Sequence, residues 1–140
     1  MPFREKSAWI MFANLLAGGF VYFFTVVSTW FKSGQLASPV IPQILTYTCC
    51  LVVIVIAGHI VTAALAPKDT NAPVDERDKQ IITRAGYYSS YAIVVGILIS
   101  LGLYLLSDSG DLLFYTVFAS LLAGHIVEYF VQILFYRTTI

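Results

Sequence analysis

The chain contains two histidines, and each lies inside the same five-residue sequence. Ala-Gly-His-Ile-Val occurs at residues 57–61 and again at residues 123–127, so His59 and His125 hold equivalent positions in two apolar runs. An identity of this length that includes a histidine indicates an internal repeat rather than coincidence. We therefore interpret the chain as two halves that each contribute one buried histidine.

Two imidazoles that face each other from different helices are what bis-histidine ligation of haem requires. Haem iron takes axial side-chain ligands, and the cores of helical bundles host such cofactors. Gly58 and Gly124 would leave room beside His59 and His125 for a flat macrocycle. Haem b is the one cofactor that this pattern suggests. Two other roles stay open for the histidines: hydrogen bonding between helices, and a site for a proton, a metal ion or a small ligand.

Glu128 is the one acidic residue well inside an apolar run. It follows His125 by three residues, which places both side chains on the same face of a helix. The first half has Thr62 at the corresponding position, so the acid occurs only once. An ionisable residue inside a membrane is costly and is a functional candidate by default. We therefore take His59, His125 and Glu128 as the candidate ligand or proton site, with a structural hydrogen bond of Glu128 as the alternative.

The polar residues form no recognisable catalytic motif or complete metal site. Cys49 and Cys50 are adjacent and no C-x-x-C spacing occurs, which argues against a zinc or iron–sulfur site. His59, His125 and Glu128 are suitable metal-ligand types, but no fourth protein ligand accompanies them, so a structural zinc site is not expected. The chain has no nucleophile–base pair, phosphate-binding loop or H-E-x-x-H motif. We therefore expect a protein that is not an enzyme.

The composition is that of an integral membrane protein. Of the 140 residues, 59% are hydrophobic and 11% are charged, against roughly 45–50% and about 25% in soluble domains. The formal net charge is zero and the basic residues are dispersed, so a nucleic-acid partner is not expected. The length suits one domain, and we expect the lipid bilayer to be its main partner.

Four apolar segments are long enough to span a bilayer, for which about 20 apolar residues suffice. They cover approximately residues 8–31, 44–66, 85–106 and 112–136. Trp9 and Trp30 flank the first segment, as interfacial aromatic residues do, and Pro67 ends the second. The charged residues 75–79 predict the start of a helix that continues into the third segment, with Asp75 and Lys79 as an i,i+4 ion pair.

These segments predict an all-α fold, a single transmembrane domain over residues 1–140 with a four-helix bundle built from two repeated helical hairpins. The first hairpin covers about residues 8–66, a cytoplasmic linker covers 67–84, and the second hairpin covers about 85–136. Seven of the eight basic residues lie at the termini or in the linker, and only Lys32 lies in another loop. The positive-inside rule then places both termini in the cytoplasm. Two such hairpins would be parallel repeats related by a pseudo-twofold axis along the membrane normal.

The sequence Asp75-Glu76-Arg77-Asp78, followed by Ile81, Ala85 and Tyr91 on a membrane helix, resembles a group of small four-helix bacterial inner-membrane proteins of uncharacterised function. The similarity extends to the chain length, to the start at Phe3 to Lys6 and to the charged cluster before the third helix. The resemblance implies a four-helix fold and a bacterial inner-membrane location. It implies no activity or ligand, and no functional residue is carried over from it.

We interpret the protein as a small integral inner-membrane protein with a non-enzymatic binding or regulatory role, centred on an intramembrane cluster of His59, His125 and Glu128. One alternative is a b-type haem or quinone electron-transfer subunit with His59 and His125 as axial ligands. The other is a small proton-coupled transporter in which Glu128 is the coupling acid and several copies form a homo-oligomer. In each case we expect both imidazoles to face the bundle interior at similar depth.

Overall fold

The structure, a computed structural model, describes residues 3–65 and 75–138, and these residues form four α-helices. The helices are α1 (Phe3–Ser33), α2 (Ile41–Leu65), α3 (Glu76–Ser107) and α4 (Gly110–Thr138). Each is long and apolar enough to cross a membrane, and the described residues contain no strand. The protein is therefore a small multi-pass membrane protein with an all-α, four-helix bundle fold, as the apolar segments predict. The linker predicted at 67–84 lies partly outside the described residues, and from residue 76 onward it belongs to α3.

The third helix runs without interruption from the charged cluster into the apolar segment, which confirms that part of the prediction. Asp75 is its N-cap, because the Asp75 carboxylate accepts a hydrogen bond of 2.6 Å from the Asp78 N–H. The predicted pairing of Asp75 with Lys79 is wrong, since the Asp75 side chain is used in this cap. Lys79 Nζ instead lies 2.7 Å from Glu76 Oε1. The helix ends at Ser107, and its C-cap, Asp108, has a φ of 50° in the left-handed region.

The helices pack side by side in the order α2, α1, α4, α3. The most extensive interface joins α3 to α4, the next joins α1 to α4, and the third joins α1 to α2. Both predicted hairpins are thus packed helix pairs. A pseudo-twofold axis between them would require an α2–α3 interface as the counterpart of the α1–α4 interface, and the described residues form no extensive interface of that kind. The second helix therefore lies on the outer side of α1, and none of its described side chains is buried.

Each copy of the repeated sequence places its glycine against the first helix of its own hairpin. A Cβ atom added to Gly58 would lie 2.9 Å from Cγ2 of Ile10 in α1. A Cβ atom added to Gly124 would overlap the side chain of Ile93 in α3. Small residues allow membrane helices to approach closely. Close helix packing is therefore the role that both copies have in the structure.

The fourth helix is held closely on two sides. Gly19 of α1 leaves room for the side chain of Leu122, and Gly96 of α3 leaves room for that of Ser120. Gly19, Gly96 and Gly124 thus let α4 approach both α1 and α3 closely, because none of the three has a side chain at the contact. The positions of α1 and α3 are thus both set by their contacts with α4.

Aromatic side chains from three helices fill the core near the α1–α2 loop. The rings of Tyr22 in α1, Tyr47 in α2 and Phe118 in α4 have centroids 4.9–5.8 Å apart. The rings are tilted or edge-to-face, which are arrangements that aromatic pairs prefer. Tyr115 of α4 donates its hydroxyl to the backbone oxygen of Ala37 at 3.0 Å. This cluster holds the loop end of the first hairpin against α4.

Gly124→Ala should destabilise the protein by about 1–3 kcal/mol, because the new methyl group would overlap Ile93 and force α3 away from α4. Gly102→Ala is the matched control. Nothing lies within 4 Å of a Cβ atom at Gly102, so the gain in helix propensity should stabilise that variant by up to about 1 kcal/mol. The measurement is the midpoint of thermal unfolding in one detergent. Equal midpoints for Gly124→Ala and the unmodified protein would contradict the close contact.

Candidate functional site

His59 uses both of its ring nitrogens within the first hairpin. Nδ1 lies 2.8 Å from the carbonyl oxygen of Val55, and Nε2 lies 2.7 Å from the hydroxyl of Ser7 in α1. Because a carbonyl oxygen can only accept, Nδ1 donates to Val55, and the tautomer protonated only at Nδ1 accepts from Ser7 at Nε2. His59 therefore joins α2 to α1 by hydrogen bonding, one of the roles that the sequence leaves open.

The surroundings of the histidines do not fit bis-histidine ligation of haem within one chain. Nε2 of His59 is engaged in a hydrogen bond with the Ser7 hydroxyl. His59 and His125 also lie on α2 and α4, which are not among the extensively packed helix pairs. In the described ranges, no group of three or more His, Cys, Asp or Glu side chains is placed to hold a metal ion. The haem alternative for His59 and His125 therefore stays a prediction from the sequence that the packing within one chain does not support.

His125 and Glu128 form a pair on α4. His125 Nδ1 lies 3.3 Å from Glu128 Oε2, and the two side chains are 54% and 24% exposed. The expectation that both imidazoles face the bundle interior is wrong for His125. The reason is that Gly124 is turned toward α3, and each residue of a helix is rotated by about 100° from the one before it. The structure thus brings Glu128 to His125, whereas the side-chain partner of His59 is Ser7.

A stripe of polar side chains continues from this pair along α4. His125, Glu128, Gln132 and Tyr136 follow one another at spacings of three or four residues, which places them on one face of the helix. Gln132 is buried, and Glu128 and Tyr136 are half-buried. The stripe extends over roughly 16 Å along the helix axis, about half of a hydrocarbon core of about 30 Å.

The stripe ends in a charged cluster where three helix ends meet. Tyr136 donates its hydroxyl to Asp78 of α3 at 2.9 Å, and Asp78 also lies 3.0 Å from Nε of Arg4 in α1. Arg137 Nε lies 3.2 Å from Glu5 Oε1. These contacts show that the start of α1, the start of α3 and the end of α4 lie at the same end of the molecule.

The ion pair of Glu5 with Arg137 is a feature that the sequence reasoning missed. Glu5 is only 7% exposed, and the Arg137 guanidinium also lies over the ring of Trp9, 5.2 Å from its centroid. The available signal was an acid in the first turn of one span and an arginine in the last turn of another. Only the packing of α1 against α4 shows that these two residues meet.

A groove of about 950 Å³ runs along the interface of α1 and α2. It is lined by side chains between residues 10 and 25 of α1 and between residues 42 and 58 of α2, and none of them is charged. Asn14, the polar residue midway along the α1 lining, donates its amide to the backbone oxygen of Leu51 at 3.2 Å. The groove is therefore an uncharged site within the apolar part of the first hairpin.

Two tyrosines of the groove lining have hydroxyls without a hydrogen-bond partner among the described residues. The oxygens of Tyr22 and Tyr47 are both buried, and the whole Tyr22 residue is 3% exposed. A buried polar group without a partner costs about 1–3 kcal/mol. A hydrogen-bond acceptor on a bound molecule would recover that free energy once the tyrosine side chains turn toward the groove.

The fold defines the class of this protein as a small integral membrane protein with four transmembrane helices. In comparisons with known proteins, no family model, curated protein or solved structure matches the chain. In the geometry of the described residues, the α1–α2 groove and the polar stripe of α4 are two candidate sites.

Proposed function

We propose that this protein is a non-enzymatic binding protein of the bacterial inner membrane, and that it binds a neutral amphiphile in the groove between α1 and α2. The observation that carries the proposal is the uncharged groove itself, two of whose lining residues, Tyr22 and Tyr47, have buried hydroxyls without a hydrogen-bond partner among the described residues. The bacterial inner-membrane location rests on the resemblance of residues 75–78 and on the four membrane-spanning helices.

The distribution of polar side chains along the groove favours an amphiphile. In the half near the α1–α2 loop, Thr25, Gln43 and Thr46 lie with Tyr22 and Tyr47 in the lining. The other half is lined by apolar or small side chains, apart from one asparagine whose amide already donates to a backbone oxygen. Ligand sites are typically apolar with a few placed polar groups. Because no described lining residue is charged, the matching head group is neutral, and a carbonyl or an alcohol can accept from the tyrosine hydroxyls.

The length of the groove favours an elongated tail. The lining from residue 10 to residue 25 corresponds to about 22 Å along α1, most of a hydrocarbon core of about 30 Å. An acyl or isoprenoid chain can follow that path. A transmembrane helix fits less well, because its backbone polar groups are already satisfied internally and offer no acceptor to Tyr22 and Tyr47.

The polar stripe of α4 favours proton-coupled transport as a second candidate function. His125 and Glu128 lie within 3.3 Å of each other inside a span, and Tyr136 at the end of the same stripe reaches Asp78. Chains of acidic residues and histidines inside membrane helices mark proton pathways in transporters. The exposed His125 would be covered if several copies assemble, and a homo-oligomer therefore belongs to this candidate.

We also propose that the charged end of the bundle faces the cytoplasm. Contacts of Arg4 with Asp78 and of Glu5 with Arg137 join three helix ends there. All basic residues except Lys32 belong to the termini or to the segment between α2 and the apolar part of α3. The positive-inside rule then assigns this end to the cytoplasm.

Ala17→Phe should reduce binding of a neutral amphiphile by about tenfold or more, because the added ring would occupy the groove. The probe is a long-chain alcohol with a diazirine in its tail, photocrosslinked to the protein in phosphatidylcholine nanodiscs and located by peptide mass spectrometry. In the unmodified protein we expect labels within residues 10–25 and 42–58. Val94→Phe is the matched control, since Val94 is an exposed residue of α3 outside the groove. Equal labelling of Ala17→Phe and the unmodified protein would refute the proposal.

The tyrosine hydroxyls can be tested in the same assay. Tyr22→Phe should weaken binding without lowering the unfolding midpoint, because the hydroxyl that it removes has no hydrogen-bond partner among the described residues. Tyr115→Phe should lower stability by about 1 kcal/mol and leave binding unchanged, because that hydroxyl donates to Ala37. Unchanged binding by Tyr22→Phe would remove the head-group assignment.

The orientation can be tested by labelling single cysteines in a background that lacks Cys49 and Cys50. With the charged end in the cytoplasm, Gly34→Cys and Ser109→Cys should react with a membrane-impermeant maleimide added to intact cells. Glu76→Cys, at the start of α3, should react only after the cells are permeabilised. The reverse pattern would show that the charged end faces outward.

Glu128→Gln should abolish proton movement while leaving the fold intact, because the amide can still hydrogen-bond His125 but cannot take up a proton. The measurement is the response of a pH-sensitive dye inside proteoliposomes to an imposed proton gradient. Glu76→Gln removes an exposed carboxylate at the start of α3 and should retain proton movement. The transport candidate fails if the unmodified protein moves no protons, or if Glu128→Gln moves them equally well.

A further inference from the structure

Arg84 of α3 has no hydrogen-bond or ion-pair partner among the described residues. Other arginines of this part of the chain are engaged: Arg4 and Arg137 pair with carboxylates, and Arg77 donates to the backbone oxygen of Tyr136 at 3.5 Å. The side chain of Arg84 is exposed. Its guanidinium group is therefore available to an anion from outside the protein.

Two adjoining depressions meet at Arg84. The first, of about 310 Å³, is lined by Lys79, Gln80, Thr83, Arg84 and Tyr87. The second, of about 620 Å³, is lined by Arg84, Tyr87, Tyr88, Tyr91 and Phe135. Because they share Arg84 and Tyr87, we treat them as one continuous surface, the Arg84 surface. It is basic and polar toward the start of α3 and aromatic further along the helix, and none of the described residues that line it is acidic.

The Arg84 surface lies where α3 enters its apolar part. Arg84 is about 12 Å along the axis from the first residue of the helix, at the same end of the molecule as the Arg4–Asp78 ion pair. Tyr87, Tyr88 and Tyr91 follow it and are all largely exposed. Exposed tyrosines at the end of a span are typical of the head-group level of a bilayer. Arg84 is thus placed at the depth of lipid phosphates.

We propose that the Arg84 surface binds an anionic glycerophospholipid. The guanidinium group of Arg84 can hold phosphate oxygens with two parallel hydrogen bonds, and the Thr83 hydroxyl and Lys79 lie in the same depression. Lys79 already pairs with Glu76 at 2.7 Å, so Arg84 is the main cation. Basic pockets on the cytoplasmic side of membrane proteins bind anionic lipid head groups in this way.

A lipid matches the surface better than a free phosphate ion does. The aromatic depression continues from Arg84 past Tyr88 and Tyr91 to Phe135 of α4, into the apolar part of the span. A phosphate ion would leave that depression uncovered, whereas the acyl chain of a bound lipid would lie along it. This site is on α3 and α4 and is independent of the α1–α2 groove.

The test compares retention of phosphatidylglycerol and phosphatidylcholine with identical acyl chains by the detergent-purified protein, measured by native mass spectrometry. Phosphatidylglycerol should be retained about fivefold better, as expected for one cation at the membrane surface. Arg84→Gln should remove this preference, and Arg84→Lys should keep part of it because the charge remains but the paired hydrogen bonds do not. Lys6→Gln is the matched control, since it removes a basic residue from the same end of the molecule and should leave the preference unchanged.

Several outcomes would overturn the proposal. Equal retention of the two lipids by the unmodified protein would show that the surface does not select an anionic head group. An equal loss in Arg84→Gln and Lys6→Gln would assign the effect to overall charge. Complete displacement of phosphatidylglycerol by an equal concentration of soluble glycerol 3-phosphate would assign the site to a free phosphate compound. The unfolding midpoint of Arg84→Gln should equal that of the unmodified protein, because Arg84 has no protein partner to lose among the described residues.

Discussion

The close packing of α4 against both α3 and α1 is the constraint on which the rest of the structure depends. Gly124 admits Ile93 of α3 on one side, and Gly19 of α1 admits Leu122 on the other. Apolar side chains are as well solvated by lipid tails as by one another, so helices in a bilayer associate through tight contacts and polar bonds rather than through the hydrophobic effect. Bulkier residues at these contacts would separate the helix ends. The polar contacts at the charged end, such as that of Tyr136 with Asp78, would then be lost.

The position of α2 follows from the same constraint. Because α4 fills the inner face of α1, α2 is left with the outer face, where Gly58 packs against Ile10 and His59 bonds Ser7. These contacts lie toward one end of the hairpin, and Tyr47 packs in the aromatic core at the other. Between them the two helices leave the groove open. The groove thus arises because α2 packs extensively against only one described helix, α1.

Most polar side chains named here within the spans have a hydrogen-bond partner, because an apolar surrounding offers no water to replace it. Asn14 bonds the backbone oxygen of Leu51, and His59 bonds Ser7. A polar group that is buried without such a bond has lost its hydrogen bonds to water, and this loss destabilises the folded protein. Tyr22 and Tyr47 are exceptions to this rule in the described chain. Their position in the groove lining is the reason for placing a head group there.

The sequence by itself determined the class of the protein and its helices. Only a helix satisfies its own backbone polar groups inside a bilayer, so segment length and hydropathy predict the number of spans. The continuation of α3 from Asp75 into the apolar segment was also predictable, because an N-cap and the acids of a first turn are local features.

Only the tertiary structure decided what the repeated pentapeptide does. The two glycines pack in the same way, whereas His59 meets a hydroxyl on α1 and His125 pairs with Glu128 on its own helix. The helix order α2–α1–α4–α3 could not be predicted from the sequence either. Packed faces and lipid-facing faces of membrane helices are both apolar, so hydropathy does not distinguish them. The pairing of Glu5 with Arg137 joins opposite ends of the chain, and its formation depends on that order.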